Sequence, residues 1–256
     1  MVRKRTFLIL ALVAFSAVGI ASAEKPVVVE AGESPFSFNA GFTPKSLPER
    51  TFAPIVLNLW GKVQTKDGTQ PPALTEFVLE ADRNIAIDVR GYPTCPSMGM
   101  FRDTKSLEVV CRASIIGEGK TTVSVAFPEQ PPVPAMSKLL VINGGTSGGK
   151  TTLYVHAYLT QPITTAIMTT VKVSRIHNRR FGTKLVATVP PIANYAGSIT
   201  SFNLTINKNL KLRGKPFSML DAKCPDGHLN AHGLAIFQDG TKAEAEVTRR
   251  CIGLER

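Results

Sequence analysis

The 256-residue chain is poor in aromatic residues, at 7%, with a single tryptophan and only 4 cysteines. No Cys-x-x-Cys pair occurs, so the usual ligand spacing of a cysteine-built zinc or redox centre is missing. Apart from the extreme N-terminus, no apolar run approaches the roughly 20 residues that a membrane-spanning helix needs. Nothing in the rest of the chain sustains a 3.6-residue period except one short helix expected over 105–112, which excludes helical bundles and coiled coils. Acidic residues are scarce as well, 19 against 30 basic ones, for a net charge of +11.

What is present begins with an address. Met1-Val2-Arg3-Lys4-Arg5 is followed by an apolar stretch over 7–20 and by Ala21-Ser22-Ala23, the pattern of a secretory signal peptide cleaved after Ala23. The reading is therefore a signal peptide over 1–23, an extended N-terminal arm over 24–50, and one all-β domain over 51–256. The product is expected to be soluble and secreted, extracellular or associated with a cell wall. Without Arg3, Lys4 and Arg5 the charge falls to +8, and that charge is unevenly spread. Residues 24–135 carry 11 basic and 13 acidic side chains, whereas 136–256 carry 16 and 6. An excess of this kind draws polyanions in a salt-dependent way.

Period-2 alternation argues for strands at 55–60, 120–127, 169–176, 185–189 and 243–247, with Pro and Gly pairs between them. An internal echo sharpens this picture. Residues 75–87 (TEFVLEADRNIAI) align without a gap to 200–212 (TSFNLTINKNLKL). Each is read as a β-hairpin with one buried face, and each is followed by a Gly, a Cys-Pro pair and a further Cys. The fold expected is a β-sandwich-like domain of two related halves, about 51–135 and 166–256, joined by a connecting hairpin at 136–165. The echo pairs Cys95 with Cys111 and Cys224 with Cys251, bridges that suit an oxidising compartment. The first hairpin's outer face reads acidic (Glu76, Glu80, Asp82, Asp88) and the second's polar to basic, a pattern that would allow copies to associate head to tail.

Several motifs point to chemistry and are weighed by their context. Gly144 to Thr151 fits the phosphate-loop pattern, but a β-branched strand rather than a helix follows, so the segment reads as a hairpin joining 139–143 to 151–159. Ser147 fits a nucleophile elbow, with Asp221 or Asp226 and His228 or His232 in the right chain order for a serine hydrolase, though the following helix is again missing. His228 and His232, with Asp226, are a metal set only if helical, and Gly227 and Gly233 argue for a loop. Glu80 and Asp82 share a strand face at a spacing found on any solvated sheet. No cofactor or metal is called for. The densest basic cluster is Lys172, Arg175, His177, Arg179, Arg180 and Lys184. With only Phe181 nearby for stacking, it suits a nonspecific polyanion contact better than a nucleic-acid site.

Five stretches resemble a family of exported, uncharacterised proteins of soil actinobacteria. They are Pro71-Pro72-Ala-Leu with the run to Gly91-Tyr-Pro-Thr-Cys95, Val125-Ala-Phe-Pro-Glu, Val141-Ile-Asn-Gly-Gly145, Leu153-Tyr-Val-His-Ala-Tyr158 and Val171-Lys-Val-Ser-Arg-Ile-His177. The resemblance implies a bacterial secreted protein and brings no activity, cofactor or site residue. The function expected is non-enzymatic binding of anionic cell-wall or extracellular polymers through the basic C-terminal half. A serine hydrolase centred on Ser147 and a self-associating surface module are the alternatives.

Overall fold

The structure, a computed structural model, describes residues 25–32, 34–95, 103–207 and 209–255. The signal-peptide reading lies outside them. The described residues are mostly β, with one seven-residue α-helix among them, α1 (Thr104–Val110). Twelve strands form one antiparallel sheet. They are β1 (Val27–Ala31), β2 (Ser34–Thr43), β5 (Val56–Val63), β6 (Leu74–Asp82), β8 (Ile115–Phe127), β9 (Gln130–Ser147), β10 (Lys150–Leu159), β11 (Thr165–Arg175), β12 (Phe181–Thr188), β13 (Gly197–Ile206), β17 (His228–Phe237) and β18 (Lys242–Arg250). Short strands β3 (Ser46–Pro48), β4 (Ala53–Pro54), β7 (Ile85–Ile87), β14 (Lys211–Leu212), β15 (Lys215–Pro216), β16 (Leu220–Ala222) and β19 (Ile252–Leu254) pair among themselves outside it.

Alternation dictates which way the strands face. β18 reads exposed and buried in strict turn from Lys242 to Arg250, with Ala243, Ala245 and Val247 inward. In β2, Phe36, Phe38, Ala40 and Phe42 are inward. The segment read as an N-terminal arm is indeed extended, but it supplies β1 and β2 to the sheet rather than standing apart from it. The end strands of the order, β1 and β18, pack beside each other. Arg249 of β18 bridges that seam, donating from Nε to the Ala40 carbonyl (2.8 Å) and from Nη2 to the Asn39 side chain and the Lys25 carbonyl. The sheet is thus rolled on itself, its two sides facing one another across a single apolar core, as a sandwich-like layout requires.

The strand order shows how the two related halves combine. It reads β1-β2-β5-β13-β8-β9 and then β10-β11-β12-β6-β17-β18. The second six repeat the first in connectivity, except that the fourth strands are exchanged: β6 lies among the strands of the second half and β13 among those of the first. Registers agree with the echo. Leu204 pairs with Leu59 and Gly119, while its counterpart Leu79 pairs with Leu185 and Gly233. The connecting hairpin is β9–β10, turning at Gly148 and Gly149, both with φ > 0.

The exchange corrects the reading of 75–87 and 200–212 as hairpins. β6 has β12 and β17 on its two sides, and β13 has β5 and β8, so neither has an edge left for the chain that follows it. That chain turns away instead. β7 pairs with β16, and β14 with β15. The residue at each turn is a buried polar clamp. Asp82 accepts from the Asn84 and Asn230 backbone N–H groups (2.9 and 3.0 Å). Its counterpart Asn207 donates to the carbonyls of Ile55 and Leu220 and accepts from the Met219 N–H.

Both expected disulfides form, with Cα–Cα distances of 5.2 Å for Cys95–Cys111 and 6.1 Å for Cys224–Cys251. Within the first loop Asp103 caps α1 by accepting from the Ser106 N–H (2.9 Å), and Leu107 is buried. The cover accounts for a loss of alternation in β9. Leu139 to Asn143 are all buried, because the lumen takes one face and α1 with the disulfide takes the other.

The lumen is unevenly filled. Phe36, Phe38, Phe77 and Phe237 pack ring against ring on one side. Phe77 also meets its echo partner Phe202, with centroids 6.0 Å apart. Beyond that pair lies an apolar cavity of about 140 Å³, walled by eight strands from β5 round to β6. Left empty, a void of that size costs on the order of 3 kcal/mol in stability.

Candidate functional site

A concavity of about 1480 Å³ lies on the outer face of β5, β13, β8 and β9. Registry places its floor. Trp60 pairs with Asn203, Asn203 with Lys120, and Lys120 with Lys138, so four side chains form one row across four strands. Three strand spacings make that row about 14 Å long. Thr205 and Glu118 flank it on one side, Ser201 and Thr122 on the other. Arg112, in the 3-10 turn after α1, Asn209 and Leu210, before β14, and Lys211, its first residue, stand at the margins. Asn203, Lys120 and Lys138 are exposed and Trp60 is half-buried.

The floor depends on a missing side chain. A Cβ on Gly119 would lie 1.8 Å from the Asn203 carbonyl oxygen, so β8 comes this close to β13 only as glycine. The electrostatics are uneven. Lys138 donates to Glu108 (2.6 Å) and lies 3.3 Å from Glu118, and the Glu108 hydrogen bond raises its pKa. Lys120 makes no ion pair among the described residues, so its charge is open to a ligand.

The structure places the basic set of the sequence elsewhere, on β11, β12 and the turn between them, and pairs two of its six members with carboxylates. Arg180 pairs bidentately with Glu246, reaches Asn230 and lies over the Phe181 ring. Lys184 faces Glu80 at 3.6 Å, and Lys172 donates to the Thr152 hydroxyl. Arg175, His177 and Arg179 are exposed. A charge ladder runs Lys184, Glu80, His232, Glu246 across β12, β6, β17 and β18, at the positions equivalent to one flank of the groove floor. The acidic outer face read in the first echo and the basic side chains of the second half meet within one chain.

The other motifs are dispersed. Ser147 sits exposed at the β9–β10 tip, separated from β17 by β10, β11, β12 and β6. The Asp221 of β16 and the His228 and His232 of β17 are not brought to it. Both histidines lie on a strand, not in a loop as read, and four residues along a strand separate them by about 13 Å, too far to share a metal. His228 bonds to the Asp226 carbonyl (2.9 Å), and His232 shares a 2.7 Å bond with Glu244. Asp82 is 4% exposed and spent as a clamp, so it forms no carboxylate pair with Glu80. The phosphate-loop match is the β9–β10 turn.

One residue that sequence reasoning passed over stands out. His156 of β10 is fully buried, and among the described residues neither ring nitrogen has a hydrogen-bond partner. It points outward beneath α1, between Leu140 and Met168 on the neighbouring strands. Burial pushes its pKa below the ordinary 6.5, and the nearby Asp103 carboxylate opposes this only in part. Only the outward phase of the 153–159 alternation marked it, and that phase gives no hint of the cover. Trp60 was legible as the outward residue of a strand, but its partners on β13 and β8 were not. The chain matches no protein-family model, no curated protein and no solved structure.

Proposed function

We propose that this is an exported, non-enzymatic bacterial protein that binds an anionic polysaccharide of the cell envelope along the β5–β13–β8–β9 groove. The observation that carries the reading is the row Trp60, Asn203, Lys120, Lys138 on the floor of that concavity. An indole face takes the apolar face of a sugar ring. Asn, Ser and Thr side chains exchange hydrogen bonds with hydroxyls, and an unpaired lysine attracts a carboxylate or phosphate. The two disulfides and the absence of a membrane-length apolar helix among the described residues accord with life outside the cell.

The test is co-sedimentation of the mature chain with isolated bacterial cell walls and with polygalacturonate, across a salt series. Trp60→Ala is expected to weaken binding about 30-fold at every salt, as loss of an aromatic anchor does. Lys120→Gln is expected to cost about fivefold at low salt and little at high salt. A double Arg179→Glu, Arg180→Glu variant should bind nearly as wild type. Loss in that variant with Trp60→Ala unaffected would move the site to the β11–β12 end and refute the groove.

A further inference from the structure

We propose that the lumen is a binding site for a small, neutral, apolar molecule about the size of a monocyclic hydrocarbon. The two halves share one backbone plan but fill it differently. Register equates Phe38, opposite Gly61, with Val171, opposite Ala187, and two residues earlier Phe36 with Thr169. Where the first half supplies two phenyl rings, the second supplies a valine and a threonine. The missing volume is the cavity of about 140 Å³. Aliphatic cavities of about this size stay dry and take up benzene or xenon.

The wall chemistry selects the ligand. Leu139, Val141, Val155 and Val171 line it with other apolar side chains, and the hydroxyls present are those of Thr121 and Thr169. Thr121 spends its proton on the Ser201 carbonyl (2.8 Å). No charged side chain lines the cavity. A carboxylate or phosphate head would enter without a partner, whereas an uncharged ring or short hydrocarbon would gain contacts on all sides. Leu185, Ala187, Ile199 and Ile206 line it too, yet they are only half-buried, the mark of a space that admits a water-sized sphere.

The experiment is calorimetric titration of the mature chain with toluene and with octanoate, beside xenon-129 NMR of the same protein. Expected are saturable toluene binding, a xenon shift, and octanoate binding at least tenfold weaker. Val171→Phe, which installs the ring of the other half, should weaken toluene at least tenfold and raise the melting temperature. Ala187→Leu is the second filling variant should that one fail to fold. Absence of both toluene saturation and a xenon shift in the wild type would overturn the site. Undiminished toluene binding in a folded filling variant would place the ligand elsewhere and overturn it too. Octanoate binding as tightly as toluene would overturn the neutral class and point to an acyl lipid tail.

Discussion

His156 makes the stability of this protein depend on pH in a window where few other groups act. Its ring is fully buried among Leu140, Met168 and the α1 cover, with both nitrogens unpaired. Burial holds its folded pKa below 6.5, so the unfolded chain takes up the proton first as pH falls. Stability is therefore complete above about pH 6.5 and is lost below it, until the folded pKa itself is reached. Each full pH unit in that interval costs up to about 1.4 kcal/mol. For a domain of this size each such unit lowers the melting temperature by about 3–6 °C. The carboxylates held below their ordinary 3.8 by hydrogen bonds, Asp67, Asp88 and Asp103, act at lower pH. The assay is thermal unfolding by circular dichroism between pH 7.5 and 4.5 at fixed ionic strength, for wild type and His156→Leu. The variant should gain about 1 kcal/mol at pH 7.5, having no orphaned nitrogens, and lose the acid-dependent decline. Parallel declines in the two proteins would refute the reasoning.

The seam and the clamps make sharper structural claims. Arg249→Met keeps the buried stem but takes the side-chain donor from the Ala40 carbonyl, and should lower stability by about 2 kcal/mol. A urea midpoint equal to wild type would show that β1 and β18 hold together without it. Asp82→Ala leaves the Asn84 and Asn230 N–H groups without their acceptor and is expected to cost about 2–3 kcal/mol in the same titration. A change under about 0.5 kcal/mol would reduce that buried carboxylate to a bystander.

The legible part of the fold was local. Alternation at 120–127, 169–176, 185–189 and 243–247 marked β8, β11, β12 and β18, because a strand with one wet face must write its burial in period 2. Phe36, Phe38, Ala40 and Phe42 carried the same signal and were read as an arm. Where both faces are covered the period vanishes, as over Leu139 to Asn143, and with it the clue to what lies on top. The site was harder still. The basic set is contiguous in sequence and so conspicuous, yet Glu80 and Glu246, far from it along the chain, pair with Lys184 and Arg180. The groove floor gathers Trp60, Lys120, Lys138 and Asn203 from four segments, none conspicuous alone.

By itself the sequence determined the class, the doubling and the bridges. Period-2 patterning leaves only sheets, and a 13-residue echo with matched cysteines leaves two halves, each closing its own loop. Only the tertiary structure decided that the halves exchange their fourth strands, that the echo turns away instead of forming hairpins, and that charges of opposite sign meet on one face. These depend on which edges remain free once every strand is placed. Edge pairing rests on backbone hydrogen bonds, which every residue but proline can make, so the chain carries almost no local mark of its partners.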